Sequence, residues 1–463
     1  CVARAEVEAC SSLVQGCEDY INLNYIAFSK ILKKHDKVST CPFRMPYLMR
    51  IQNQTFVHHR MVDIIKAISD MHASLHGKGV VAGAGAFDPN QKGGTSFVRR
   101  TTKYWVMTKD VLKVKMFLLK HLPIYKFTDG ATDGDLVSSV YFDNAKRELY
   151  DGRLKKFDQA IALRIRWYGK EEGLATVYIE RKTHREDWYG DGAASAKERF
   201  PMLVGDVVPF LHGAYTPAMY EAHLRSCRFK GDVRETVRLM AEVQSIVTSK
   251  KLRPAMRTHY MRTAFQRTGD ATVRCSLDTE LCMALEPCTA DEWKRSEPLK
   301  SLDQVTQFPH AVLEVKLQLV SGTTQPAWVS ELFSSGYLRE MPKFSKFVHG
   351  TAYLNRAEIR ELPYWWAPEL IAQWADHGLS RPVPVRLLGE AQVDDEADEA
   401  PHWGPVEGFH TMVDSIGSRL QAFFRRVVTC DCDGGEVLLR SPHVASVAGS
   451  PAVRVVRAAA RSY

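Results

Sequence analysis

Apolar and polar residues alternate along several stretches of the chain with the two-residue period of a β-strand. The alternation runs through residues 162–168, 176–182, 272–278 and 311–319. In the first stretch Arg164 and Arg166 fall on one face of the predicted strand, and the opposite face carries Leu163, Ile165 and Trp167. The pattern therefore predicts antiparallel strands that each have one apolar and one charged face.

The charged faces are unusual in their choice of residue. A strand face that lies in water normally mixes Thr, Ser, Gln, Lys and Glu, whereas arginine recurs here. The planar guanidinium group of arginine can bind two phosphate oxygens at once. We therefore expect an α+β fold in which an antiparallel β-barrel has a charged interior and flanking helices cover its apolar outer face. The alternative is an ordinary sheet whose polar face lies in water.

Residues 21–37 have the period of an α-helix. Its buried stripe would consist of Ile21, Tyr25, Phe28 and Leu32. Another face carries four lysines at helical spacing, namely Lys30, Lys33, Lys34 and Lys37. Like charges at this spacing repel by a few tenths of a kcal/mol per pair. The lysine face is therefore either a solvated surface or a binding site for an anion.

The rest of the chain divides by composition. Residues 54–75 predict a second helix that pairs with the first, and residues 77–94 are a linker rich in Gly and Ala. Residues 394–399 form an acidic linker. Residues 409–427 predict an amphipathic helix that packs on the barrel or binds a partner or a membrane surface. We expect residues 430–463 to be poorly ordered.

Composition and charge leave several partners open. The chain has 463 residues, 45% of them hydrophobic and 25% charged, which suits a soluble protein of two or three domains. Its net charge of +8 suits nucleic acid, inositol phosphates or polyphosphate equally well. The scattered cysteines are expected to be reduced thiols in the cytosol. No apolar run is long enough to predict a membrane-spanning helix.

Familiar nucleotide-binding and metalloprotease motifs are absent from the sequence. We find no G-x-x-x-x-G-K-[ST] phosphate loop, no kinase H-R-D or D-F-G motif and no H-E-x-x-H zinc helix. An enzyme that uses a nucleotide would need another site for the triphosphate, and a basic barrel interior can supply one. Phosphoryl transfer mainly requires positioning, cations and a metal that bridges phosphate oxygens.

Longer sequence words identify a family. These are YFDN at 141–144, GRL at 152–154, LRIRWYG at 163–169, ERKTHREDW at 180–188 and KFSKF at 343–347. Over residues 98–370 the chain resembles the catalytic tunnel domain of the vacuolar transporter chaperone (VTC) family, which polymerises polyphosphate. The resemblance implies a barrel of the triphosphate tunnel metalloenzyme type. The words LN at 23–24 and FSKILKKHDK at 28–37 are similar to the SPX domain, a helical sensor of inositol polyphosphates and pyrophosphates.

The resemblance to the VTC family implies a set of site residues. The cations would be Lys103, Arg153, Arg164, Arg166, Lys182, Lys197, Arg262, Arg274 and Lys346, with Tyr260 and Ser345 as neutral phosphate contacts. Glu314 would hold a divalent metal, manganese rather than magnesium by the resemblance, unless it is only a counter-ion. For Glu180 and Asp278 we expect ion pairs with Lys182 and Arg274. Each cation could instead be an ordinary salt-bridge residue.

The resemblance to SPX domains places Lys34 in the central phosphate-binding cluster and Lys30, Lys33 and Lys37 on the neighbouring surface. The first SPX helices and the membrane spans of the VTC family have no counterpart in this sequence. We therefore expect a partial SPX domain and membrane attachment through a missing segment or partner subunits. The predicted regions are 1–76 (partial SPX), 77–97 (linker), 98–370 (tunnel domain) and 371–463 (C-terminal linker, helix and tail).

The expected function is that of a polyphosphate polymerase that transfers the γ-phosphate of ATP to a growing chain. A triphosphatase of the same barrel type and a non-catalytic subunit that binds polyphosphate or inositol phosphates remain alternatives. Nucleic-acid binding is weaker, because Trp167 falls on the apolar face. The expected partners are polyphosphate, ATP, inositol polyphosphates and other VTC subunits. The expected location is the vacuole or acidocalcisome membrane, with the catalytic domain on the cytosolic side.

Overall fold

A computed structural model gives the fold of the chain. The structure describes residues 2–39, 44, 47, 62–75, 97–125, 135–169, 171, 173–185, 196–267, 269–286, 292–295, 305–320 and 324–367. The predicted linkers at 77–94 and 394–399, the predicted helix at 409–427 and the tail at 430–463 lie outside the described residues.

Helices lie before, between and after runs of consecutive strands in the described chain. The helices are α1 (Val2–Val38), α2 (Val62–Leu75), α3 (Val111–Leu119), α4 (Glu148–Lys155), α5 (Val207–Leu211), α6 (Pro217–Ser226), α7 (Val233–Ser249), α8 (Ala327–Ser334) and α9 (Lys346–Leu354). The strands are β1 (Phe97–Met107), β2 (Asp135–Asp143), β3 (Ile161–Tyr168), β4 (Thr176–Thr183), β5 (Ala196–Leu203), β6 (Arg253–Phe265), β7 (Val273–Leu285), β8 (Thr306–Gln307), β9 (His310–Val320) and β10 (Leu338–Glu340).

The described strands form one sheet in the order β10-β1-β9-β7-β6-β2-β3-β4-β5, and β8 pairs with β7. Every neighbouring pair is antiparallel. The predicted antiparallel sheet with flanking helices is confirmed. The prediction of a closed barrel is wrong for the described part, because no ladder there joins β5 to β10 and both remain edges.

The sheet is nevertheless curved, and one of its faces is concave. Register shifts beside Tyr141 in β2 and between His259 and Met261 in β6 introduce irregularities that bend strands. The charge of Lys103 on β1 acts on Lys182 of β4, although five strands lie between β1 and β4 in the sheet. The two sides of the sheet therefore face each other across an open trough.

Helices cover the outer, apolar face of the sheet on both sides of the trough. Helices α5, α6 and α7 pack on β3, β4 and β5, where Trp167 is only 1% exposed as its strand position predicted. Helices α1, α2, α3 and α8 pack on β1, β7 and β9. These contacts bury the apolar residues of each strand and leave the charged residues on the concave face.

Helix α9 lies against the concave side. Its first residue, Lys346, reaches Asp278 of β7. A Cβ atom at Gly350 would come within 2.4 Å of the Met256 side chain of β6 and 2.9 Å of Met283 of β7. The absence of a side chain at Gly350 lets the two methionine side chains pack directly on the backbone of α9. Helix α9 therefore closes part of the trough between β6 and β7.

Helix α1 is longer than the sequence predicted. It begins at Val2 rather than at residue 21, because Val7, Cys10, Val14 and Cys17 continue the buried stripe. The prediction overlooked cysteine as a small apolar residue. The predicted pairing with α2 is present, although residues 54–61 of the predicted second helix lie outside the described residues. Within the part of the chain that the structure covers, no helix is long and apolar enough to span a bilayer.

Candidate active site

The strand register brings cations of seven strands to the concave face. Antiparallel pairing sets Arg164 opposite Glu180, and it sets Lys182 opposite Lys197. On the other side of the trough, Lys103 lies opposite Glu314. Side chains two residues apart share a strand face, so one cation on a strand predicts where the next one points. The cations from β1, β3, β4, β5, β6, β7 and β9 therefore line one surface.

A buried carboxylate organises the cations of β3 and β5. Glu180 is only 2% exposed and accepts hydrogen bonds from Arg164 Nε at 2.8 Å and Nη2 at 2.5 Å. Lys197 Nζ lies 3.0 Å from its other oxygen, Oε1, and Arg166 Nη1 lies 3.6 Å from Oε2, the oxygen that Arg164 contacts. Burial alone would raise the pKa of Glu180, but the cations Arg164, Arg166 and Lys197 lower it to about 2. Arg164 also donates to the Tyr141 hydroxyl at 2.8 Å.

A second buried carboxylate organises β6 and α9. Asp278 accepts a bidentate pair from Arg262, at 2.7 Å from Nε and 2.8 Å from Nη2, and it also contacts Lys346 Nζ. Burial would raise the pKa of Asp278, but Arg262 and Lys346 hold it well below its usual range. The Tyr260 ring lies 4.6 Å from Lys346 Nζ, and its hydroxyl accepts from Arg166 Nη2 at 3.0 Å.

The predicted partners of these two carboxylates were wrong. Glu180 pairs with Arg164, Arg166 and Lys197 rather than with Lys182. Asp278 pairs with Arg262 and Lys346 rather than with Arg274. Lys182 is two residues from Glu180, about 7 Å along the strand, and Arg274 is four residues from Asp278, about 13 Å. Arg164 and Arg262 are directly opposite these carboxylates on neighbouring strands, where residues lie about 5 Å apart. The cross-strand partner therefore captures each carboxylate.

Lys182 has no ion-pair partner among the described residues. It is exposed to the trough but surrounded by protein and by other cations. Burial, and then repulsion from Lys103, Arg153 and Arg164, lowers its pKa to about 8, although Glu314 attracts it. Such a lysine is left short of negative charge, so an anion in the trough would stabilise its charged form.

Two further cations show the same surplus of positive charge. Burial lowers the pKa of Lys197 to about 8, with Arg164 and Arg166 adding to the effect and Glu180 opposing it. Arg274 is exposed, and it forms no ion pair with a carboxylate of the described residues. The trough therefore holds more positive charge than its own carboxylates balance.

Glu314 lies between Lys103 and Lys316. Its Oε2 is 3.1 Å from Lys316 Nζ, and Lys103 instead donates to the Phe344 carbonyl at 2.6 Å. Burial would raise the pKa of Glu314, but Lys103, Lys316 and Arg262 lower it to about 2. Burial lowers the pKa of Lys103. The carboxylate is thus ionised and available as an oxygen ligand.

The donor set around Glu314 fits a metal that arrives with phosphate. The described residues contain no group of three or more His, Cys, Asp or Glu side chains that could hold an ion by themselves. A hard divalent cation bound to a triphosphate needs only one or two protein carboxylates, because phosphate oxygens and water complete its shell. One ionised glutamate satisfies that requirement, whereas it could not retain a resident metal alone.

Local capping positions the remaining predicted residues. Asp143 accepts from the backbone N–H groups of Leu149 and Tyr150, each at 3.0 Å, which fixes the start of α4. Helix α4 carries Arg153, whose charge acts on Lys182. Ser345 is the N-cap of α9, and its hydroxyl accepts from the Val348 N–H at 3.4 Å. Its capping role fixes Lys346, the next residue, beside Asp278.

Comparison with known proteins agrees with this geometry. The family model of the VTC domain matches residues 98–355. The chain belongs to the VTC family. The SPX domain model matches residues 16–51, so the helical N-terminal region carries an SPX domain match as expected.

Three curated relatives give the same picture. Subunit 4 of the vacuolar transporter chaperone complex from Schizosaccharomyces pombe is 36% identical, over 79% of this chain and 52% of that protein. Subunit 4 from Trypanosoma brucei brucei is 33% identical, over 59% and 37%. Subunit 2 from S. pombe is 28% identical, over 78% and 52%. The chain spans about half the length, or less, of these relatives.

The VTC domain brings almost the whole predicted tunnel set together, and the sequence analysis missed two members of the surface. Arg199 of β5 lies opposite Glu180, and Lys316 of β9 lies opposite Arg274. Strand parity could have found both, since they follow Lys197 and Glu314 by two residues. Arg199 stacks over the Tyr178 ring at 4.9 Å.

The SPX lysines lie apart from the tunnel residues. Helix α1 packs through its apolar stripe on the outer side of the sheet, and the four lysines on α1 are exposed, namely Lys30, Lys33, Lys34 and Lys37. The predicted stripe is present, with Ile21, Tyr25 and Leu32 at most 9% exposed. Any ligand bound by these lysines would therefore lie outside the trough.

Proposed function

We propose that this chain is a polyphosphate polymerase that extends a phosphate chain with the γ-phosphate of ATP. The observation that carries the proposal is the unbalanced positive charge of the concave face, which is clearest at Lys182. A trough lined by cations from seven strands suits a linear polyanion, because phosphate units along the polymer can meet successive cations. The relatives whose names include subunit 4 of the VTC complex support the same assignment.

The arginines of the trough hold the triphosphate. Glu180 and Asp278 fix the guanidinium groups of Arg164 and Arg262 before substrate arrives. Preorganised donors stabilise developing charge without having to reorganise during the reaction. Arg166, tied to Tyr260 and nearly buried, adds a third fixed cation. These residues bind and orient the nucleotide.

The transfer step needs an in-line arrangement of donor and acceptor. An oxygen of the terminal phosphate of the growing chain forms a bond to the γ-phosphorus. The bond from that phosphorus to the β–γ bridging oxygen breaks, and ADP leaves with the electron pair. Lys182 and Lys197 lie opposite each other and can neutralise the incoming chain end, while Lys346 adds charge next to Arg262. The acceptor then moves on by one phosphate unit.

Glu314 would hold the divalent metal, and we propose manganese as the ion used. Such a metal would supply positive charge that offsets part of the charge on the phosphate oxygens. Glu314 suits this role because it is ionised and lies beside Lys103 and Lys316 on the concave face.

Two other functions use the same trough. A tunnel triphosphatase would differ only in that water replaces the chain end. A non-catalytic subunit would bind polyphosphate without turnover. The similarity to subunit 2 as well as to subunit 4 of the complex is compatible with that alternative. The presence of the full basic set together with Glu314 and Lys346 favours the polymerase, since a subunit without activity would be free to lose some of them.

We also propose the regulatory and cellular setting. The lysines of α1 bind an inositol polyphosphate or pyrophosphate, because they form an exposed cationic surface within the SPX match, with Lys34 at its centre. Other VTC subunits are partners, and the assembly lies at the vacuole or acidocalcisome membrane with this domain on the cytosolic side. The names of the relatives support the complex and its vacuolar association.

Incubation of the purified chain with ATP and manganese tests the function. A polymerase gives ladders of phosphate chains on a gel, a triphosphatase gives orthophosphate alone, and an accessory subunit binds polyphosphate but gives neither product. Lys182→Ala should lower turnover by about two orders of magnitude, since it removes a cation from the transfer site. Arg181→Ala is the matched control, because Arg181 lies on the opposite face of β4 and pairs with Glu198 and Glu242.

A further inference from the structure

One end of the trough differs from the rest because aromatic residues replace cations there. Tyr168 is the last residue of β3, and Tyr178 lies near the start of β4. Both share the strand face of Arg164 and Arg166 by parity, and Arg166 is directly opposite Tyr178. The aromatic pair therefore continues the arginine row towards one mouth of the trough.

The geometry of this pair leaves an aromatic ring open. The two tyrosine rings meet edge to face, with centroids 6.2 Å apart and planes at 69°. Tyr168 is 43% exposed, and Arg199 covers Tyr178 at 4.9 Å from its centroid. Arg199 has no ion-pair partner within the residues that the structure describes. The Tyr168 ring on β3 and the Arg199 guanidinium on β5 flank Tyr178 on β4, and both are planar groups on which a nucleobase can stack.

The turn beside this mouth is held from the outside. Glu171 lies in the connection between β3 and β4 and accepts from Arg257 Nη1 at 2.8 Å and from Lys294 Nζ at 2.6 Å. Arg257 itself lies over the outer face of Trp167, 5.7 Å from the ring. These contacts fix the end of β3, so the Tyr168 ring is presented by an anchored strand end.

We propose that Tyr168, Tyr178 and Arg199 form the subsite for the purine ring of the nucleotide, an inference that rests on the proposed function. Tyr168 lies two residues beyond Arg166 on the same strand face, which is about 7 Å along the trough. A nucleotide whose phosphates lie on Arg164 and Arg166 would place its base beyond the end of the arginine row. Tyr168, Tyr178 and Arg199 lie at that end of the trough.

The inference also fixes the direction of the reaction. In an in-line transfer the leaving ADP and the attacking chain end lie on opposite sides of the γ-phosphorus. With the base at the Tyr168 mouth, the growing chain approaches from the other end of β4, where Lys182 lies opposite Lys197. Nearby cations outweigh nearby carboxylates around both lysines, so both can take up the negative charge of the chain end.

Binding measurements on the full chain test the subsite without relying on turnover. The ligands are the β,γ-imido analogue of ATP, inorganic tripolyphosphate and long-chain polyphosphate, titrated by calorimetry. Tyr168→Ala should weaken the ATP analogue by about fivefold or more, the ratio that corresponds to about 1 kcal/mol of lost stacking. It should leave tripolyphosphate and polyphosphate unchanged, and Tyr168→Phe should restore affinity for the analogue. Tyr353→Ala is the matched control, because Tyr353 is 49% exposed on α9.

Each other outcome decides against the subsite. Equal weakening of all three ligands by Tyr168→Ala would mean that the residue supports the fold of the mouth and not the base. An unchanged affinity for the ATP analogue would remove the base from this mouth but leave the polymerase proposal standing. Failure of the wild-type chain to bind any of the three ligands would overturn the proposed function and the subsite with it. A single-stranded oligonucleotide that binds more tightly than the analogue in a Tyr168-dependent way would assign the mouth to nucleic acid instead.

Discussion

The lowered pKa of Lys182 leads to a quantitative prediction about polyphosphate binding. With a pKa of about 8, about nine-tenths of the Lys182 side chains are charged at pH 7 and about one-tenth at pH 9. A bound polyanion favours the charged form, so binding above pH 8 requires the uptake of a proton. Affinity is therefore full below pH 8 and is lost as the pH rises through that value.

The magnitude follows from the same populations. Between pH 7 and pH 9 the affinity for polyphosphate should fall about tenfold for each lysine that must regain its proton. Lys197 has the same lowered pKa of about 8, so the wild-type chain should lose about a hundredfold. Lys182→Arg should lose only about tenfold, because arginine remains charged throughout this range.

Calorimetry or competition binding with preformed long-chain polyphosphate at pH 7, 8 and 9 measures the effect. Ionic strength is held constant, since screening changes the same affinity. Lys230→Arg serves as the control, because Lys230 is exposed and lies between α6 and α7 on the outer side of the sheet. Identical pH profiles for the wild type and Lys182→Arg would refute the reasoning that Lys182 faces the polymer.

Three further predictions concern single residues. Glu314→Gln should abolish metal-dependent turnover of ATP and retain affinity for preformed polyphosphate. An ATP assay measures the turnover, and calorimetry measures the binding of manganese and of polyphosphate. Unchanged manganese binding would mean that Glu314 is only a counter-ion. Arg164→Ala should lower turnover by about two orders of magnitude. It should also lower the midpoint of thermal unfolding, because it removes the main partner of buried Glu180. Lys182→Ala should leave that midpoint unchanged. Lys34→Glu should weaken the binding of inositol hexakisphosphate, measured at two salt concentrations, without changing basal synthesis; equal affinities would leave the α1 lysines as a solvated face.

Strand periodicity predicted the two faces of the sheet well, for a physical reason. Side chains alternate with a fixed period of two, so the sequence of a single strand decides which residues share a face. Arg164 and Arg166 were assigned to one face in this way, and Trp167 to the other. The structure confirms both assignments.

The same reasoning could not predict which residues of different strands form ion pairs. Register depends on how strands pair in the folded chain, and the pairs of Glu180 with Arg164 and of Asp278 with Arg262 join segments 16 residues apart in each case. Closure of the sheet is also a tertiary property, which is why a barrel was expected where the described strands leave two edges. The start of α1 was missed for a simpler reason, since its buried stripe there uses cysteine.

The cations of the trough fall into two classes with different physical roles. Arg164 and Arg262 each share a buried carboxylate with a neighbouring strand, so their positions are fixed and their removal leaves a buried charge with fewer partners. Lys182 and Arg274 have no such carboxylate among the described residues, so they contribute charge to the trough without supporting the fold. A polymer that must advance one unit at a time needs both classes of cation. The fixed arginines define where the reacting phosphorus lies, and the unpaired cations hold a chain that moves by one phosphate unit at every step. Substitutions in the first class should therefore lower stability and turnover together, and substitutions in the second should lower affinity alone or with turnover.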